Sequence, residues 1–452
     1  MSQTSKIFKR KIYDELLRWK QESNGTTALL IEGARRVGKS TVVEEFGRNA
    51  YKSYLIIDFA NPKKDTISLF EDGIGKDFDG FFMRLQLIED VVLHTRDSLI
   101  IFDEVQSYPK ARQLIKYLVK DGRYDYIETG SLISLKKNIT RITLPSEEES
   151  ITMYPMDFEE FLWAQGDEST IPFIKNAFDR RSPVGNGVHR NILRKYREYI
   201  AVGGMPQVVS AFIDNKDFGS IDREKRLIWT LYENDVEKIP SPTDSKVSTI
   251  LKRIPNMLSK INKRFSPGMI RMGSGMDEYD SSLEWLEQSR IVNICKNVND
   301  PNLTLPLEME ANKVKCYLLD TGLLIYRAMM ENNGERNWLY KSIILDKLSI
   351  NEGMFFENMV AQELRASGHG LYHHRFEVEG CTRPYEVDFL LTSGKKVIPI
   401  EVKSGRSKPH ASLSHFIEKY SDRCGESFVI HTKDLMVEGG ITYIPIYMTM
   451  FL

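Results

Sequence analysis

The residues best suited to chemistry in this sequence form a glycine-framed loop near the N-terminus. Residues 33–40, GARRVGKS, match the phosphate-binding pattern G-x-x-x-x-G-K-S/T. Glycines let the backbone curl so that successive N–H groups face phosphate oxygens, and a helix beginning at Lys39 adds its positive dipole end. The pattern lies between a predicted strand (28–31) and a predicted helix, which distinguishes it from a chance match. We therefore predict an ATP-binding P-loop here.

The loop and a later pair of acids divide the chemistry between them. Lys39 would reach the β- and γ-phosphates, and the Ser40 hydroxyl would ligate Mg²⁺. The apolar strand 98–102 ends in Asp103 and Glu104. Asp103 is predicted to hold the Mg²⁺ shell, and Glu104 to orient or deprotonate the attacking water. Such a strand end is ordinary alone, but one intervening strand after a P-loop it predicts a hydrolytic site.

A second constellation lies near the C-terminus. Asp388, Glu401 and Lys403 reproduce the D-x(n)-E-x-K spacing of restriction-type nucleases. Side chains in a strand repeat every two residues, so Glu401 and Lys403 are predicted on one face, with Asp388 on the adjacent strand of a hairpin. Two carboxylates would share a Mg²⁺ that activates water, while the lysine stabilises phosphate charge. Glu357, on the preceding predicted helix, matches the extra acid of that nuclease class.

Two alternatives to a working nuclease stay open at this point. The charged residues could be a solvated hairpin, or the fold could be nuclease-like without cutting. In the same region of the chain, the predicted second helix of a winged helix, 277–289, is acidic and would be repelled by DNA phosphates. This favours a structural or protein-contacting winged helix over sequence-specific DNA binding.

Length and composition limit the remaining possibilities. A chain of 452 residues is expected to hold two to four domains. The net charge of -1, from 62 basic and 63 acidic residues, gives no general argument for binding nucleic acid or membranes. Four scattered cysteines argue against a disulfide framework or a zinc site. No signal peptide and no membrane-spanning run is apparent, so we expect a cytoplasmic protein without membrane contact.

The predicted elements place these motifs in an α/β fold. Short apolar strands at 54–59, 98–103 and 125–129 alternate with helices at 81–96 and 109–121, which indicates a parallel, doubly wound sheet. Beyond residue 155 the pattern is helical, and it becomes mixed again after 334. We predict a P-loop ATPase core (1–155), a helical lid (156–238), a winged helix (239–333) and an α/β nuclease-like domain (334–452).

With these motifs in place, the chain resembles the AAA+ and related P-loop ATPases that have an additional strand and a catalytic glutamate. More narrowly, over nearly its whole length, it resembles the archaeal-type ATPase family, in which an AAA+/STAND-like core precedes a winged helix and a PD-(D/E)xK nuclease-like domain. The resemblance implies Thr129 or Ser131 as a sensor of the γ-phosphate. It also implies that Pro206, in the run GGMP at 203–206, lies against the adenine.

The predicted site residues fall into three sets. The nucleotide-binding set is Gly33, Ala34, Arg35, Arg36, Val37, Gly38, Lys39, Ser40, Thr41, Thr129, Ser131 and Pro206. The catalytic set is Lys39, Glu104, Asp388, Glu401 and Lys403. The metal-binding set is Ser40, Asp103, Glu357, Asp388 and Glu401.

Two functional hypotheses follow. The first is a Mg²⁺-dependent ATP hydrolase that acts as a switch or motor on DNA through its nuclease-like domain. The second is a nucleotide-switched regulatory scaffold whose nuclease-like domain binds without cutting. Intact acids and lysine at the C-terminal site favour the first hypothesis, whereas the acidic winged helix favours the second. A homo-oligomer is compatible with either hypothesis.

Overall fold

Buried apolar runs form a five-stranded sheet in the first part of the chain. A computed structural model of the protein describes residues 6–73, 77–130, 146–215, 217–239, 243–260, 262–330, 336–345, 352–404 and 411–452. The strands are β1 Ala28–Glu32, β2 Ser53–Asp58, β3 Ser98–Asp103, β4 Asp125–Gly130 and β5 Glu148–Thr152. They lie in the order β2-β3-β4-β1-β5, and every neighbouring pair is parallel. The predicted α/β class with a parallel sheet is confirmed.

The helices of this part are α1 Ile12–Ser23, α2 Lys39–Ala50, α3 Lys64–Asp72, α4 Phe78–Glu89 and α5 Pro109–Asp121. The central strands β3 and β4 are almost wholly buried, as expected for parallel strands in an α/β sheet. Helix α4 ends well before the predicted limit of 96, because Asp90 adopts a left-handed conformation with φ 53° and terminates it. Strand β5 is not predicted, since its sequence EESIT is polar, as suits a partly exposed edge strand.

The chain divides into two compact units: Met1–Tyr154 with Gln288–Arg290, and Pro155–Glu287 with Ile291–Leu452. The second unit begins with the helices α6 Phe158–Ala164, α7 Thr170–Asp179, α8 Asn186–Val202, α9 Pro206–Asn215 and α10 Phe218–Glu237. Residues 186–215 therefore form two helices, separated at Gly203, whose φ is 86°. Within the described ranges, no helix is both long and apolar enough to span a bilayer.

The rest of the second unit is a mixed sheet with helices. Its helices are α11 Thr243–Leu258, α12 Asp280–Gln288, α13 Thr321–Ala328, α14 Arg336–Ile344, α15 Glu352–Ala366 and α16 Ala411–Lys419. Its strands are β6 Val292–Val298, β7 Met309–Leu318, β8 Tyr372–Phe376, β9 Tyr385–Ser393, β10 Lys396–Val402, β11 Ser427–His431, β12 Met436–Glu438 and β13 Ile441–Pro445. The strand order is β12-β13-β11-β10-β9-β8-β6-β7.

The position of the β6–β7 hairpin differs from the expectation of a separate winged helix. The hairpin itself forms, but β6 also pairs in parallel with β8, at Lys296↔Tyr372 and Asn297↔His373. A two-stranded hairpin has two unpaired edges, and β8 covers one of them. The hairpin therefore belongs to the same sheet as Asp388 and Glu401. The domain limits at 155, 238 and 333 stay predictions.

Candidate functional site

The loop between β1 and α2 has a conformation that its two glycines make possible. Gly38 precedes α2 with φ 101°, in the left-handed range where a residue with a Cβ is strained. At Gly33, a Cβ would lie 2.4 Å from the carbonyl oxygen of Met153, so the close approach requires glycine. Arg36 also has a positive φ, 68°. The loop is thus the sharply curved strand-to-helix connection that the phosphate-binding pattern predicts.

Lys39 is the first residue of α2, and its side chain is folded back onto its own loop. The residue is 7% exposed, and its ammonium donates hydrogen bonds of 3.0 Å to the carbonyl oxygens of Gly33 and Ala34. Burial lowers the pKa of Lys39 to about 8, although the nearby charges of Glu104 and Asp103 oppose this. This cation donates to neutral carbonyl groups, which an anionic ligand would replace with a net electrostatic gain.

Asp103, at the end of β3, accepts hydrogen bonds from two hydroxyl groups. Ser40 Oγ donates to its Oδ1 over 2.8 Å, and the hydroxyl of Thr129 donates to the same oxygen. Thr129 reaches it because β4 lies between β1 and β3 in the sheet. Burial raises the pKa of Asp103, and the two hydroxyl hydrogen bonds act in the opposite direction. Oxygen donors of this kind suit Mg²⁺, so the residues present fit the metal that a P-loop implies.

Glu104 is joined to the same group through its backbone. Its φ is 51°, and its N–H donates to Thr129 Oγ1 over 3.3 Å, so the Thr129 hydroxyl links both acids. The carboxylate of Glu104 accepts a hydrogen bond from Gln106 Nε2. The sequence analysis missed Gln106, because the motif ends at the two acids and the following short 3₁₀ helix has no pattern of its own.

Arg10 supports the loop and was also missed. It is 7% exposed, and its guanidinium donates to the carbonyl oxygen of Val37 over 2.8 Å and to that of Tyr154 over 2.7 Å. Arg10 precedes Val37 by 27 residues in sequence. A basic residue in a polar N-terminal segment usually indicates a solvated charge, so the sequence contains no signal for this contact.

The other predicted nucleotide-binding residues are placed as follows. Thr41 is exposed in the first turn of α2, and Arg35 is partly buried. Ser131 lies outside the described residues. Pro206, in the second unit, is partly buried and begins helix α9. A helix tolerates proline at its first position, so the GGMP run separates two helices rather than interrupting one. Contact between Pro206 and adenine stays a prediction.

The two glycines of that run have a packing role within the second unit. The N–H of Gly204 donates to Asp320 Oδ2 over 2.6 Å. A Cβ on Gly203 would lie 2.3 Å from Asp320 Oδ1, and a Cβ on Gly322 would lie 2.3 Å from the carbonyl oxygen of Val202. The end of α8 and the turn after β7 are therefore packed too closely to accept larger residues at these positions.

The C-terminal residues lie on three neighbouring elements of the second unit. Glu357 is on α15, Asp388 on β9 and Glu401 on β10, with Lys403 just beyond. The ammonium of Lys403 bonds Glu401 Oε1, as strand alternation predicts. The backbone N–H of Val402 donates to Asp388 Oδ2 over 2.9 Å. Glu357 and Asp388 are not joined to each other directly but through a lysine that the sequence analysis missed.

That lysine is Lys315, on β7. Its ammonium lies 3.1 Å from Glu357 Oε1, 2.9 Å from Glu386 Oε1 and 3.5 Å from Asp388 Oδ1. Lys263 pairs with the second oxygen of Glu357. These residues and their further partners form a set that we call the charge cluster. Its members are Lys263, Arg264, Lys315, Tyr317, Glu357, Glu386, Asp388, Glu401 and Lys403.

The lysines dominate the electrostatics of the cluster. Burial would raise the pKa of Glu357, but Lys263 and Lys315 outweigh it and bring that pKa down to about 2. Burial likewise opposes the lowering of the Glu386 pKa to about 2, for which Lys315 is the main cause. In contrast, burial and then the charge of Asp388 raise the pKa of Glu401 to about 7.

The cluster does not have the form of an open metal site. Across the residues that the structure describes, no group of three or more His, Cys, Asp or Glu side chains is arranged to hold a metal ion. The predicted ligands Glu357 and Asp388 are instead paired with an ammonium group. The residues present therefore do not fit the Mg²⁺ that the nuclease resemblance implies.

Comparisons with known families match the chain in three parts. Residues 25–162 match the AAA domain family AAA_14. Residues 193–334 and 352–449 match two domains of unknown function, DUF8612 and DUF4143. No curated protein matches the chain in sequence.

Solved structures of P-loop proteins are similar at low identity. The Walker-type ATPase of Pyrococcus abyssi is 17% identical with a TM-score of 0.43, covering 71% of this chain and 96% of that one. The Orc1 protein of Aeropyrum pernix, in complex with DNA, is 13% identical with a TM-score of 0.29 (74% and 95%). RuvB of Thermotoga maritima is 9% identical with a TM-score of 0.27 (63% and 89%). These scores are too low to carry an argument. The AAA domain match and the loop geometry together support an AAA-like P-loop ATPase.

Proposed function

We propose that this protein binds ATP with Mg²⁺ and hydrolyses it, acting as a nucleotide-driven switch or motor. The observation that carries the proposal is the convergence of Ser40 and Thr129 on Asp103, beside a P-loop lysine held by neutral carbonyls. The first turn of helix α2 and the ends of strands β3 and β4 supply these groups. A chance strand–turn–helix has no reason to bring them together.

Each side chain has a distinct role in this proposal. Lys39 leaves the carbonyls of Gly33 and Ala34 and pairs with the β- and γ-phosphates. Ser40 and Asp103 would hold Mg²⁺, which neutralises phosphate charge when bound. Because β-phosphate and γ-phosphate oxygens are anionic, the lysine gains a charge-assisted contact that the apo loop does not offer.

Glu104 is the proposed base for water. It follows Asp103 directly, and its left-handed backbone turns the chain away from the strand direction at this point. Gln106, which donates to the carboxylate, must release or share it when Glu104 accepts a proton from water. Thr129 contacts both Asp103 and Glu104, which supports its proposed role as a sensor of the γ-phosphate.

The test is steady-state ATP turnover by the full chain with Mg²⁺ and after chelation with EDTA. Asp103→Asn should remove most turnover, because the carboxylate charge is lost while the shape is kept. Thr129→Val should lower turnover less, with Ser53→Ala, at the opposite end of the sheet's strands, as the matched hydroxyl control. Turnover that survives both EDTA and Asp103→Asn would contradict the proposed site.

DNA is the proposed macromolecule on which the protein acts when it hydrolyses ATP. Its support is the exposed Lys395 and Lys396 at the β9–β10 turn, whose ammonium groups suit phosphate contacts. Arg406 and Lys408, which follow Lys403 closely in the sequence, lie outside the described residues. ATP turnover should rise with duplex, single-stranded or four-way-junction DNA, and fall again as salt screens phosphate contacts. ATP turnover that changes with none of the three forms of DNA would favour the scaffold hypothesis.

A further inference from the structure

The charge cluster joins residues from two parts of the sequence that were predicted to be different domains. Three of its four cations, Lys263, Arg264 and Lys315, precede residue 334, and Lys403 follows it. The carboxylates that the first three pair with, Glu357, Glu386 and Asp388, all follow it. The segment predicted as a winged helix therefore neutralises the acids of the segment predicted as a nuclease.

Lys315 occupies the centre of this arrangement. It is 1% exposed, and its ammonium lies within 3.5 Å of an oxygen of three different carboxylates. Burial would lower its pKa, but the charges of Glu357 and Glu386 more than offset this, so the pKa of Lys315 is well above its ordinary value.

The remaining oxygens of these carboxylates are also engaged. The hydroxyl of Tyr317 donates a hydrogen bond to Glu357 Oε1, and the ammonium of Lys263 pairs with Glu357 Oε2. Asp388 Oδ2 accepts the N–H of Val402. Arg264 holds Oε2 of Glu386. A divalent cation would have to displace an ammonium group from oxygens that are already hydrogen-bonded.

Glu401, the remaining predicted metal ligand of this region, is also not free to bind a metal ion. One of its oxygens bonds Lys403, and the other is buried with no hydrogen-bond partner among the described residues. A metal ion at this carboxylate would therefore also have to displace an ammonium group, that of Lys403.

We propose that Lys315 takes the place of a divalent cation in the C-terminal cluster, so that this site binds no metal, does not cut DNA, and instead locks the β7 segment to α15 and β9. The proposal does not rest on ATP hydrolysis, because the P-loop residues belong to the other unit. It follows that removing the lysine should expose a latent metal site made of Glu357 and Asp388.

The experiment is an electron paramagnetic resonance titration of Mn²⁺ against the full chain without nucleotide. The wild type should show no saturable Mn²⁺ binding that depends on Asp388. Lys315→Met should gain one site, and Lys315→Met with Asp388→Asn should lose it again. The double variant separates this site from any weak binding at the P-loop.

Folding is controlled in two ways. ATP turnover reports on the first unit and circular dichroism on both. If Lys315→Met does not fold, the charge-balanced pair Lys315→Gln with Glu386→Gln keeps two acids for one Mn²⁺ and replaces it in the titration. Wild-type Mn²⁺ binding or DNA cleavage that Asp388→Asn abolishes would overturn the proposal. So would a folded lysine variant that gains no site.

Discussion

Two buried lysines, Lys39 in the P-loop and Lys315 on β7, are similarly inaccessible to water and have opposite surroundings. Lys39 is 7% exposed and contacts two neutral carbonyls, so burial lowers its pKa to about 8. Lys315 is 1% exposed and contacts three carboxylates, so its pKa rises well above the ordinary value despite burial. Both lysines are buried, and the difference between their pKa values comes from the charge of the groups that they contact.

The comparison teaches that a motif identifies a set of charges but not whether that set is already balanced. In the P-loop, the lysine donates to neutral carbonyls, and in our proposal the phosphates of ATP supply its anionic partner. In the C-terminal cluster, residues distant in sequence supply the counter-charges within the protein. The first arrangement can gain energy from an anionic ligand, whereas the charges of the second are balanced within the folded chain, so that removing one of them is costly.

The largest expected effects are on ATP binding and turnover, and they distinguish the roles of Lys39 and Glu104. Lys39→Ala should weaken ATP binding roughly 100-fold, because a charge-assisted contact to the phosphates is lost. Glu104→Gln should bind ATP normally, while its kcat falls about 10²–10⁴-fold, since only the water-activating group is lost. Isothermal titration and steady-state turnover measure the two effects.

The matched control for the lysine is Lys116→Ala, on the exposed surface of α5, which should change neither quantity. An equal loss of ATP affinity in Lys39→Ala and Glu104→Gln would show that the two roles are wrongly divided.

The second prediction breaks the balance at Lys315. Lys315→Met should lower the free energy of unfolding of the protein by about 3–5 kcal/mol, because it leaves buried carboxylates without their counter-charge. Adding Glu386→Gln should restore part of the loss. Chemical denaturation of each variant gives the values. Lys395→Met, at an exposed position, should stay within about 0.5 kcal/mol of the wild type. A loss at Lys315 no larger than this would mean that the cluster is not a lock.

A third buried lysine sharpens the comparison through pH. Lys225 is fully buried and donates to the carbonyl oxygen of Ala201 over 2.6 Å, and burial lowers its pKa from 10.5 to about 8. At pH values between about 8 and 10.5, Lys225 is mostly protonated in the unfolded chain and mostly deprotonated in the folded chain. Stability therefore rises with pH from about 8 to 10.5, by up to about 3 kcal/mol from this group.

The measurement is the unfolding free energy of wild type and Lys225→Met at pH 7.5 and at pH 9.5. The difference between the two proteins should shift in favour of the wild type at the higher pH. Parallel pH profiles would show that the Lys225 ammonium keeps its ordinary pKa in the folded state.

The smallest effect concerns Arg10, whose guanidinium fixes the outer P-loop at Val37. Arg10→Lys keeps the charge but not the two-pronged contact, so ATP affinity should fall about 3–10-fold with a smaller change in kcat. KM and kcat measured together distinguish this positioning role from general loss of folded protein, which would lower kcat alone. Arg18→Lys, exposed on α1, serves as the control.

The ATP site could be predicted largely from the sequence because its signals are local. Eight consecutive residues specify the loop, and an apolar strand ending in two acids specifies the other half. The parallel order of the strands then brings Thr129 to Asp103. What the sequence did not reveal, such as Arg10 and Gln106, depends on contacts that leave no pattern in spacing.

The C-terminal site could be predicted only in part for the opposite reason. Strand alternation correctly paired Glu401 with Lys403, since that relation is local. Lys315 belongs to a different hairpin, and it reaches Asp388 only because β8 joins β6 to β9 in one sheet. Pairing between strands far apart in sequence is decided by packing, so no motif could show that the acids are already neutralised.

The pairing of β6 with β8 also limits how this protein can be divided or recombined. A fragment ending at residue 333 would expose the unpaired backbone of β6, an edge prone to aggregation, and would leave Lys315 without its carboxylates. Gene fusion or exchange between relatives would meet the same barrier. The β6–β7 hairpin and the C-terminal strands therefore form one structural piece in this chain, even though two separate family models match them.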